Sequence, residues 1–305
     1  MRVVVTGGAG FVGSHVVDAL LARGDEVTVV DSLATGKRER VSAAASLQVQ
    51  DVREPLEDLF DEVRPEAVLH LAAQADVRVS VERPVEDADV NVLGTVRVLE
   101  AARRHDAQVV FSSTGGAMYG ECDSPAPESA QTIPVSPYGI GKLAAEEYLR
   151  GYNRLYGTTH VSLRYGNVFG PRQDPHGEAG VVAIFLGALA AGEAPRIFGD
   201  GAQTRDYVYV GDVARATLQA LGQDGGVFNV GTGKETSVLE LFELCRNVAG
   251  SDVEPTHAPA RLGELQRSAL DTSLTADELG FVAFVDLEDG LRSTWDWITQ
   301  GRSQE

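Results

Sequence analysis

A glycine-rich turn near the amino terminus constrains the fold more than any other stretch of the sequence. Residues 7–13 read Gly-Gly-Ala-Gly-Phe-Val-Gly. The β-branched run 3–6 precedes this turn, an apolar helical pattern follows it, and residues 26–31 form a second strand-like run. This order predicts a βαβ unit, from which parallel sheets with helices on both faces are built.

The same turn suits a dinucleotide. Glycines let the backbone approach a pyrophosphate closely, and the amino terminus of the following helix stabilises its charge. Asp31 ends the second predicted strand 18 residues after Gly13, where a carboxylate can accept both ribose hydroxyls of adenosine. A 2′-phosphate would face that carboxylate, so the sequence favours NAD over NADP. The alternative is a structural turn that binds no ligand.

Strands and helices continue to alternate as far as residue 171. Further strands are predicted at 47–50, 67–71, 108–112 and 160–164, with helices near 55–63 and 85–105. We therefore predict an α/β fold, a Rossmann-type doubly wound parallel sheet with a smaller, interleaved C-terminal substrate-binding lobe.

The domain boundaries follow from the point where this alternation loosens. Residues 1–171 and 207–231 are predicted to form the NAD-binding domain, and residues 172–206 and 232–305 the lobe. Within 207–231, a strand at 207–210, a helix capped by Asp212 and a strand at 227–230 would return to the large sheet. Ser237 is predicted to cap a further helix.

Tyr138 and Lys142 lie four positions apart on one predicted helix, so they share a face one turn apart. A phenol titrates near about pH 10 in water and needs a fixed cation to act as a base at neutral pH. Lys142 is one of three lysines among 26 basic residues, which suggests a site that needs a compact ammonium. The spacing alone is common on helix surfaces, so its meaning depends on its surroundings.

Small and hydroxyl side chains follow two predicted strands. Ala72, Ala73 and Gln74 come after one strand, and Ser112, Ser113 and Thr114 end the next. Open α/β sheets bind ligands at the carboxyl ends of their strands, so the small residues leave room for a cofactor and the hydroxyls can face a substrate. The alternative for the hydroxyls is that they satisfy loop backbone groups.

Composition excludes several classes of partner. A net charge of −19 opposes binding to nucleic acid or an anionic membrane. No apolar run approaches about 18 residues and no signal peptide is recognisable, so we expect a cytoplasmic protein. Cys122 and Cys245 lack the spacing of a zinc site or disulfide framework, and the six histidines form no metal-binding pattern, so no metal is predicted.

These features together resemble the extended short-chain dehydrogenase/reductase family over nearly the whole chain. Four stretches resemble, more narrowly, the UDP-galactose (UDP-glucose) 4-epimerases of that family: 31–33 (DSL), 111–120 (FSSTGGAMYG), 164–172 (RYGNVFGPR) and 205–208 (RDYV). The resemblance implies a tightly held NAD, a UDP-sugar substrate, and a homodimer built from helices of the large domain.

The resemblance also implies roles for individual residues. NAD contacts would come from Gly7, Gly10, Phe11, Val12, Gly13, Asp31, Gly36, Asp51, Val52, Leu71, Ala72, Ala73, Gln74, Asn91, Ser112, Tyr138, Lys142 and Tyr165. Substrate contacts would come from Ser113, Thr114, Asn167, Val182, Arg196, Phe198, Gln203, Arg205, Arg261 and Ser268. The catalytic residues would be Thr114, Tyr138 and Lys142, with Ser113 as the alternate to Thr114.

The implied chemistry is an inversion at C4 of the sugar. Phenolate Tyr138, assisted by Thr114, would take the proton of the C4 hydroxyl while C4 passes a hydride to the nicotinamide. The resulting 4-keto sugar would turn its opposite face to the cofactor, and return of the hydride would invert C4. Lys142 would also bond the nicotinamide ribose.

Alternative activities remain open at this point. Gly115 and Gly116 stand where related dehydratases carry an Asp-Glu pair and decarboxylases an acid, which disfavours both reactions.

Uronate 4-epimerases tend to carry threonine and arginine at the positions of Asn167 and Asp174, and an aspartate would repel a substrate carboxylate, so neutral hexoses are favoured. Ser268 replaces a tyrosine that crowds the sugar C2 group in some relatives, which suggests that N-acetylhexosamines also enter. A reductase that releases its coenzyme and a non-catalytic NAD-sensing protein are the remaining alternatives.

Overall fold

The computed structural model describes residues 1–123, 125–175, 180–260 and 265–302. The strands in these ranges are β1 (Arg2–Thr6), β2 (Glu26–Asp31), β3 (Ser46–Val49), β4 (Ala67–His70), β5 (Gln108–Thr114), β6 (Val161–Tyr165), β7 (Asn167–Phe169), β8 (Arg196–Phe198), β9 (Thr204–Arg205), β10 (Tyr207–Tyr209), β11 (Gly226–Val230), β12 (Thr236–Ser237), β13 (Thr256–Ala258) and β14 (Arg267–Ser268).

The α-helices in the same ranges are α1 (Phe11–Arg23), α2 (Glu57–Val63), α3 (Val77–Glu82), α4 (Pro84–Ala88), α5 (Gly94–Arg103), α6 (Pro137–Tyr156), α7 (Val181–Ala190), α8 (Val210–Gln219), α9 (Val238–Ala249), α10 (Ser273–Leu279) and α11 (Leu287–Arg302). A short 3₁₀ helix covers Arg38–Arg40, and a π-helical segment, Asp89–Leu93, joins α4 to α5. None of the helices described is long and apolar enough to cross a bilayer.

Seven parallel strands form the main sheet, in the order β11-β6-β5-β4-β1-β2-β3. The strand order reverses between β1 and β4, because the chain winds from β1 outward to β3 and then returns to β4 on the other side. Such a reversal opens a crevice at the carboxyl ends of the strands. The predicted doubly wound parallel sheet is therefore confirmed.

Both faces of this sheet are covered by helices, as the buried, β-branched strand β1 requires. Val3 and Val5 pack with α1 and α8 on one face, whereas Val4, which points the opposite way, packs with α2, α5 and α6. All three valines are fully buried. The two apolar layers fix the sheet and place the amino terminus of α1 at the crevice.

The smaller lobe is built on short strands and three helices. β8 pairs with β13, β9 lies between β12 and β14, and α7, α9 and α11 share one apolar cluster. Ser237 caps α9 as predicted, in a reciprocal capping box with Glu240. Phe169 and Tyr207 join the same cluster, so this core draws on segments that the sequence assigned to the large domain. The boundary between the two domains stays a prediction.

Three local predictions differ from the structure. The helix predicted at 85–105 is divided into α4, the π-helical segment and α5. β10 pairs with β7 rather than with the large sheet, which only β11 joins from this region. Asp212 does not cap α8, which begins at Val210; its fully buried carboxylate accepts hydrogen bonds from the backbone N–H groups of Phe284 and Val285 and so anchors a distant loop.

Candidate active site

A cleft of about 820 Å³ opens at the carboxyl ends of β1, β2, β4 and β5. Almost every residue that the resemblance assigned to NAD lines it, namely Gly7, Gly10, Phe11, Val12, Gly13, Asp31, Gly36, Asp51, Val52, Leu71, Ala72, Ala73, Gln74, Ser112, Tyr138, Lys142 and Tyr165. The structure therefore brings these residues, drawn from the first 165 positions, to one surface.

The glycine turn has no room for side chains. Gly7 has a positive φ of 72°, and a Cβ on it would lie 2.6 Å from the backbone nitrogen of Ala72. A Cβ on Gly13 would lie 2.1 Å from the carbonyl oxygen of Gly7. Gly10, the N-cap of α1, offers no side chain to the first N–H groups of the helix. These groups can therefore bind an anion that enters the cleft, which fits a pyrophosphate.

Asp31 is fixed by two backbone hydrogen bonds at the end of β2. The N–H of Ala9 donates to Oδ2 and that of Leu33 to Oδ1, both at 2.9 Å. Each carboxylate oxygen keeps a further lone pair for a hydroxyl donor. A Cβ on Gly36 would lie 2.5 Å from Oδ1, so the loop packs against this carboxylate. The turn and Asp31 together fit the diphosphate and adenosine ribose of NAD, and a 2′-phosphate would be repelled.

Two residues assigned to NAD make contacts that the sequence did not predict. Asn91 does not line the cleft: its buried carboxamide accepts from the N–H of Gln74 and donates to the carbonyl of Gln74 and to Asp87. Asn91 therefore fixes the backbone of Gln74, which lines the cleft, without lining the cleft itself. Asp51 lines the cleft, but its carboxylate also binds Arg53, whose hydrogen bonds are the main cause of the lowered pKa of Asp51.

Tyr138 and Lys142 lie at the inner end of the cleft on α6. The helix begins after Ser136, whose hydroxyl accepts from the N–H of Gly139, and Pro137 occupies its first position. Lys142 is 2% exposed, and its ammonium donates to the carbonyl oxygen of Ser112 at 2.9 Å. The ammonium lies 6.0 Å from the centre of the Tyr138 ring. The pair predicted from spacing is thus held together at the end of β5.

The hydroxyls at the end of β5 have different partners. Ser113 is buried and donates to Oε1 of Glu146 at 2.5 Å. The Thr114 hydroxyl lines the cleft and accepts from the N–H of Ala117. Although both residues border the cleft, the Ser113 hydroxyl hydrogen is directed to a carboxylate of α6 rather than to a ligand.

A fully buried ion pair, which the sequence analysis did not select, lies beside this strand end. Glu146 of α6 and Arg164 of β6 are 0% and 1% exposed, and their closest N–O distance is 2.6 Å. Burial alone would lower the pKa of Arg164, but the Glu146 carboxylate outweighs it and raises that pKa. The signals were available: Glu146 lies four residues after Lys142, and Arg164 begins one of the four matched stretches.

His70, at the end of β4, is neutral. Its Nδ1 lies 2.6 Å from the Thr6 hydroxyl and its Nε2 3.0 Å from the Thr95 hydroxyl. Complete burial, reinforced by the positive charge of Lys142, lowers the pKa of His70 to about 3. Burial also raises the pKa of Tyr165 to about 12, with its hydroxyl bonded to Thr217. Neither group adds charge beside Lys142 near neutral pH.

Most residues assigned to the substrate lie outside this cleft. Among those that the structure describes, only Ser113 and Thr114 line it. Asn167 is beside the β5 loop, since a Cβ on Gly116 would lie 3.4 Å from its Oδ1. In the smaller lobe, Arg205 and Ser268 are register partners on β9 and β14.

The remaining substrate assignments divide between the same lobe and an undescribed segment. Arg196 and Phe198 are on β8, and the Gln203 side chain donates to the carbonyl of Phe198. Val182 is buried in the core of the lobe. Arg261 lies outside the described residues.

Several cleft residues were not assigned to NAD or to the substrate from the sequence, although Asp174 was used there to argue against a uronate. They include Thr35, Arg53, Arg78, Gln173 and Asp174. Asp174 pairs with Lys37 at 3.8 Å, so the loop after β7 reaches across to the loop after β2. Among the described residues no group of histidine, cysteine and carboxylate side chains could hold a metal ion.

Comparison with known proteins gives consistent matches over the full chain. Residues 3–231 match the model of the NAD dependent epimerase/dehydratase family. A UDP-glucose 4-epimerase of Mycolicibacterium smegmatis is 46% identical over 308 residues, covering 98% of both chains.

Solved structures agree. A UDP-glucose 4-epimerase of Thermotoga maritima with UDP-glucose is 46% identical, with a TM-score of 0.96 and full coverage of both chains. The Thermus thermophilus UDP-glucose 4-epimerase complex with NAD is 48% identical, with a TM-score of 0.93 and coverage of 98% of this chain and 99% of that one. With its glycine turn, its Asp31 and its Tyr138–Lys142 pair arranged around one cleft, this chain belongs to the NAD-dependent epimerase/dehydratase family.

Proposed function

We propose that this enzyme interconverts UDP-glucose and UDP-galactose by inverting C4 through a transient 4-keto sugar. The observation that carries the proposal is the Tyr138–Lys142 pair, held beside Thr114 at the inner end of a dinucleotide cleft. UDP-glucose 4-epimerases at 46–48% identity over nearly the whole chain support this activity.

The chain's residues divide the work between binding and proton transfer. NAD, when bound, supplies the acceptor and donor of hydride. The amino terminus of α1 and Asp31 bind and orient it, while the Lys142 ammonium favours the phenolate of Tyr138. Tyr138 takes the proton of the C4 hydroxyl and later returns it, so the enzyme ends each turnover in its starting protonation state.

Thr114 rather than Ser113 is proposed to assist Tyr138. The Ser113 hydroxyl donates to Glu146, and giving it to a sugar would leave a buried carboxylate oxygen without that bond. Thr114 lines the cleft and accepts only a weak bond, 3.2 Å long, from Ala117. We propose that its hydroxyl bridges the sugar C4 oxygen and Tyr138.

The geometry after Thr114 argues against dehydration. A Cβ on Gly115 would lie 2.6 Å from a methyl carbon of Leu270, which is itself buried. An acidic side chain at this position would therefore require the buried Leu270 side chain to shift, and water elimination needs such an acid near C5 and C6. The absence of this group favours simple return of the hydride at C4.

A homodimer is proposed from the exposed apolar side chains on two adjacent parts of the surface. Val85 on α4 is 83% exposed and Leu155 on α6 is 75% exposed, and Leu93, Ile140 and Tyr148 are also exposed. Exposed apolar side chains on elements that pack against each other, as α4 does against α6, favour an interface between protein chains. We expect Val85→Glu/Leu155→Glu to sediment as a monomer where the unaltered chain sediments as a dimer. Equal sedimentation coefficients would contradict this surface as the interface.

The cytoplasmic location stays a prediction from the sequence.

The activity is tested without added coenzyme. Purified protein is incubated with UDP-galactose, and the anomeric proton signals of both hexoses are followed by NMR. We expect interconversion with no free NAD, and a loss of about 10²–10⁴-fold in kcat for Tyr138→Phe, because the proton-transfer group is removed. Tyr156→Phe, at an exposed tyrosine on the same helix, is the matched control and is expected to retain activity. Accumulation of a keto product, or a requirement for NAD in each turnover, would overturn the proposal.

A further inference from the structure

The Glu146–Arg164 pair is surrounded by the residues of the proposed reaction. Glu146 lies one helical turn after Lys142 on α6 and accepts the Ser113 hydroxyl. Arg164 donates three bonds to Glu146 and a fourth to the Tyr119 hydroxyl at 2.8 Å. Ser113 and Tyr119 flank the loop that begins at Thr114, so the pair joins α6 to both ends of this loop.

A lone carboxylate at position 146 would lie one helical turn from another cation, Lys142. The Lys142 ammonium binds the carbonyl of Ser112, and Oε1 of Glu146 binds the hydroxyl of Ser113, the next residue of the same strand. Oppositely charged residues four positions apart on a helix attract each other. In a buried site that attraction is strong, because little water screens it.

We propose that Arg164 is a positioning residue that holds the Glu146 carboxylate away from Lys142, so that the lysine ammonium remains available to Tyr138. Arg164 engages both carboxylate oxygens in the fork geometry that a guanidinium favours, and this leaves Glu146 with no net attraction for Lys142. The inference rests on the proposed acid–base role of Tyr138.

The inference makes a prediction that a purely structural ion pair does not. Loss of the cation leaves a negative charge near Lys142, which disfavours the phenolate and moves the titration of Tyr138 to higher pH. Loss of the Glu146 carboxylate leaves the Arg164 cation without its partner and moves the titration of Tyr138 to lower pH. A pair that only stabilised the fold, too far away to influence Lys142, would leave the Tyr138 titration unchanged in both variants.

Other charged or titratable groups near these residues are the same in every variant. They are His70 on β4, Asp87 on α4, Tyr165 on β6, and Tyr119 and Glu128 in the loop region before α6. His70 is neutral, and the Asp87 carboxylate accepts from the side chains of Gln74 and Asn91.

The test follows tyrosinate absorbance in the NAD-loaded protein as pH is raised. From each variant we subtract the spectrum of the same variant carrying Tyr138→Phe, because Tyr119 loses its bond from Arg164 in Arg164→Met. We expect Arg164→Met to raise the Tyr138 midpoint by on the order of one pH unit and Glu146→Gln to lower it by a similar amount. The double variant that carries both Glu146→Gln and Arg164→Met is expected to have the Tyr138 midpoint of the unaltered chain. Arg292→Met breaks an exposed pair with Glu288 on α11 and is the matched control, with no change expected.

Turnover of UDP-galactose is measured on the same samples. We expect kcat to fall at least tenfold in Arg164→Met at neutral pH and to recover in the double variant. Shifts of the same sign in the two single variants, or no shift in either, would overturn the inference. Should Arg164→Met not fold, Arg164→Lys is used in its place, because it keeps a positive charge at this position. We expect Arg164→Lys to have the Tyr138 midpoint of the unaltered chain and Glu146→Gln to have a lower one. Equal Tyr138 midpoints in these two variants would be contrary to the inference.

This absorbance readout does not depend on substrate. An unaltered chain that fails to interconvert UDP-sugars would overturn the proposed function, whereas the tyrosinate midpoints would still decide the role of Arg164.

Discussion

The cofactor cleft and the smaller lobe are built in different ways. The cleft lies at the ends of four neighbouring parallel strands and includes a turn so tight that a single added carbon at Gly13 would contact the carbonyl of Gly7. The lobe presents side chains from strands of two or three residues, such as β9 and β14, which are more than 60 residues apart in sequence. The cleft therefore tolerates little variation, whereas exchanging single side chains of the lobe is predicted to change substrate specificity.

The largest effect is expected from a substitution in the glycine turn of the cofactor cleft. In Gly13→Ala the added Cβ would overlap the Gly7 carbonyl at 2.1 Å, so the turn cannot keep its shape. We expect loss of bound NAD, measured by absorbance of the nucleotide released on denaturation. Gly151→Ala, a helical glycine with open space around it, is the control and is expected to retain NAD. Full NAD content in Gly13→Ala would show that the turn is not the binding element.

An intermediate effect is expected from a substitution in the smaller lobe. Ser268 is buried next to the Arg205 strand, and Ser268→Tyr would bring a bulky ring toward the proposed sugar site. We expect kcat/KM for UDP-N-acetylglucosamine to fall by about 10–100-fold while that for UDP-galactose changes less than about threefold. Ser268→Ala is the matched control. Failure of the unaltered chain to turn over UDP-N-acetylglucosamine, while active on UDP-galactose, would sink the hypothesis that serine admits N-acetylated sugars.

The smallest effect concerns stability at the cofactor side. The pKa of His70 is about 3 in the folded protein, below its value in an unfolded chain of about 6.5. The unfolded state therefore binds a proton that the folded state does not, and stability falls as pH drops from about 6.5 toward 3. His160, with a pKa lowered to about 4 by burial, contributes over the same range.

We expect His70→Gln to lose less free energy of unfolding than the unaltered chain between pH 7 and pH 5, measured by urea denaturation. His105→Gln, at an exposed pair with Asp61, is the control. Identical pH slopes for the His70 variant and the unaltered chain would contradict the neutral, buried state of this histidine.

The accuracy of the sequence predictions follows the same division. Hydrophobic runs and turn residues predicted the parallel sheet, because strand and helix periods are local properties of the chain. They failed at Asp212, whose carboxylate binds a loop more than 70 residues away, and at β10, whose partner strand could not be inferred from local pattern.

The site shows the same limit. Motif matching selected Tyr138 and Lys142 correctly as neighbours in space, yet it assigned Asn91 to the cofactor surface, where the structure has it supporting Gln74. It also left Glu146 unselected, since its spacing of four residues from Lys142 does not reveal that its partner is Arg164, on a different element. Whether the smaller-lobe residues bind the substrate remains a prediction.

The contact between Gly115 and Leu270 bears on how new activities could arise from this protein. An acid at position 115 would meet a buried leucine, so a single substitution toward a dehydratase would damage packing before it could supply a new proton donor. A shift of the Leu270 side chain, or a smaller residue at position 270, would relieve this contact. Access to the neighbouring reaction therefore depends on a residue in a segment more than 150 residues away from position 115.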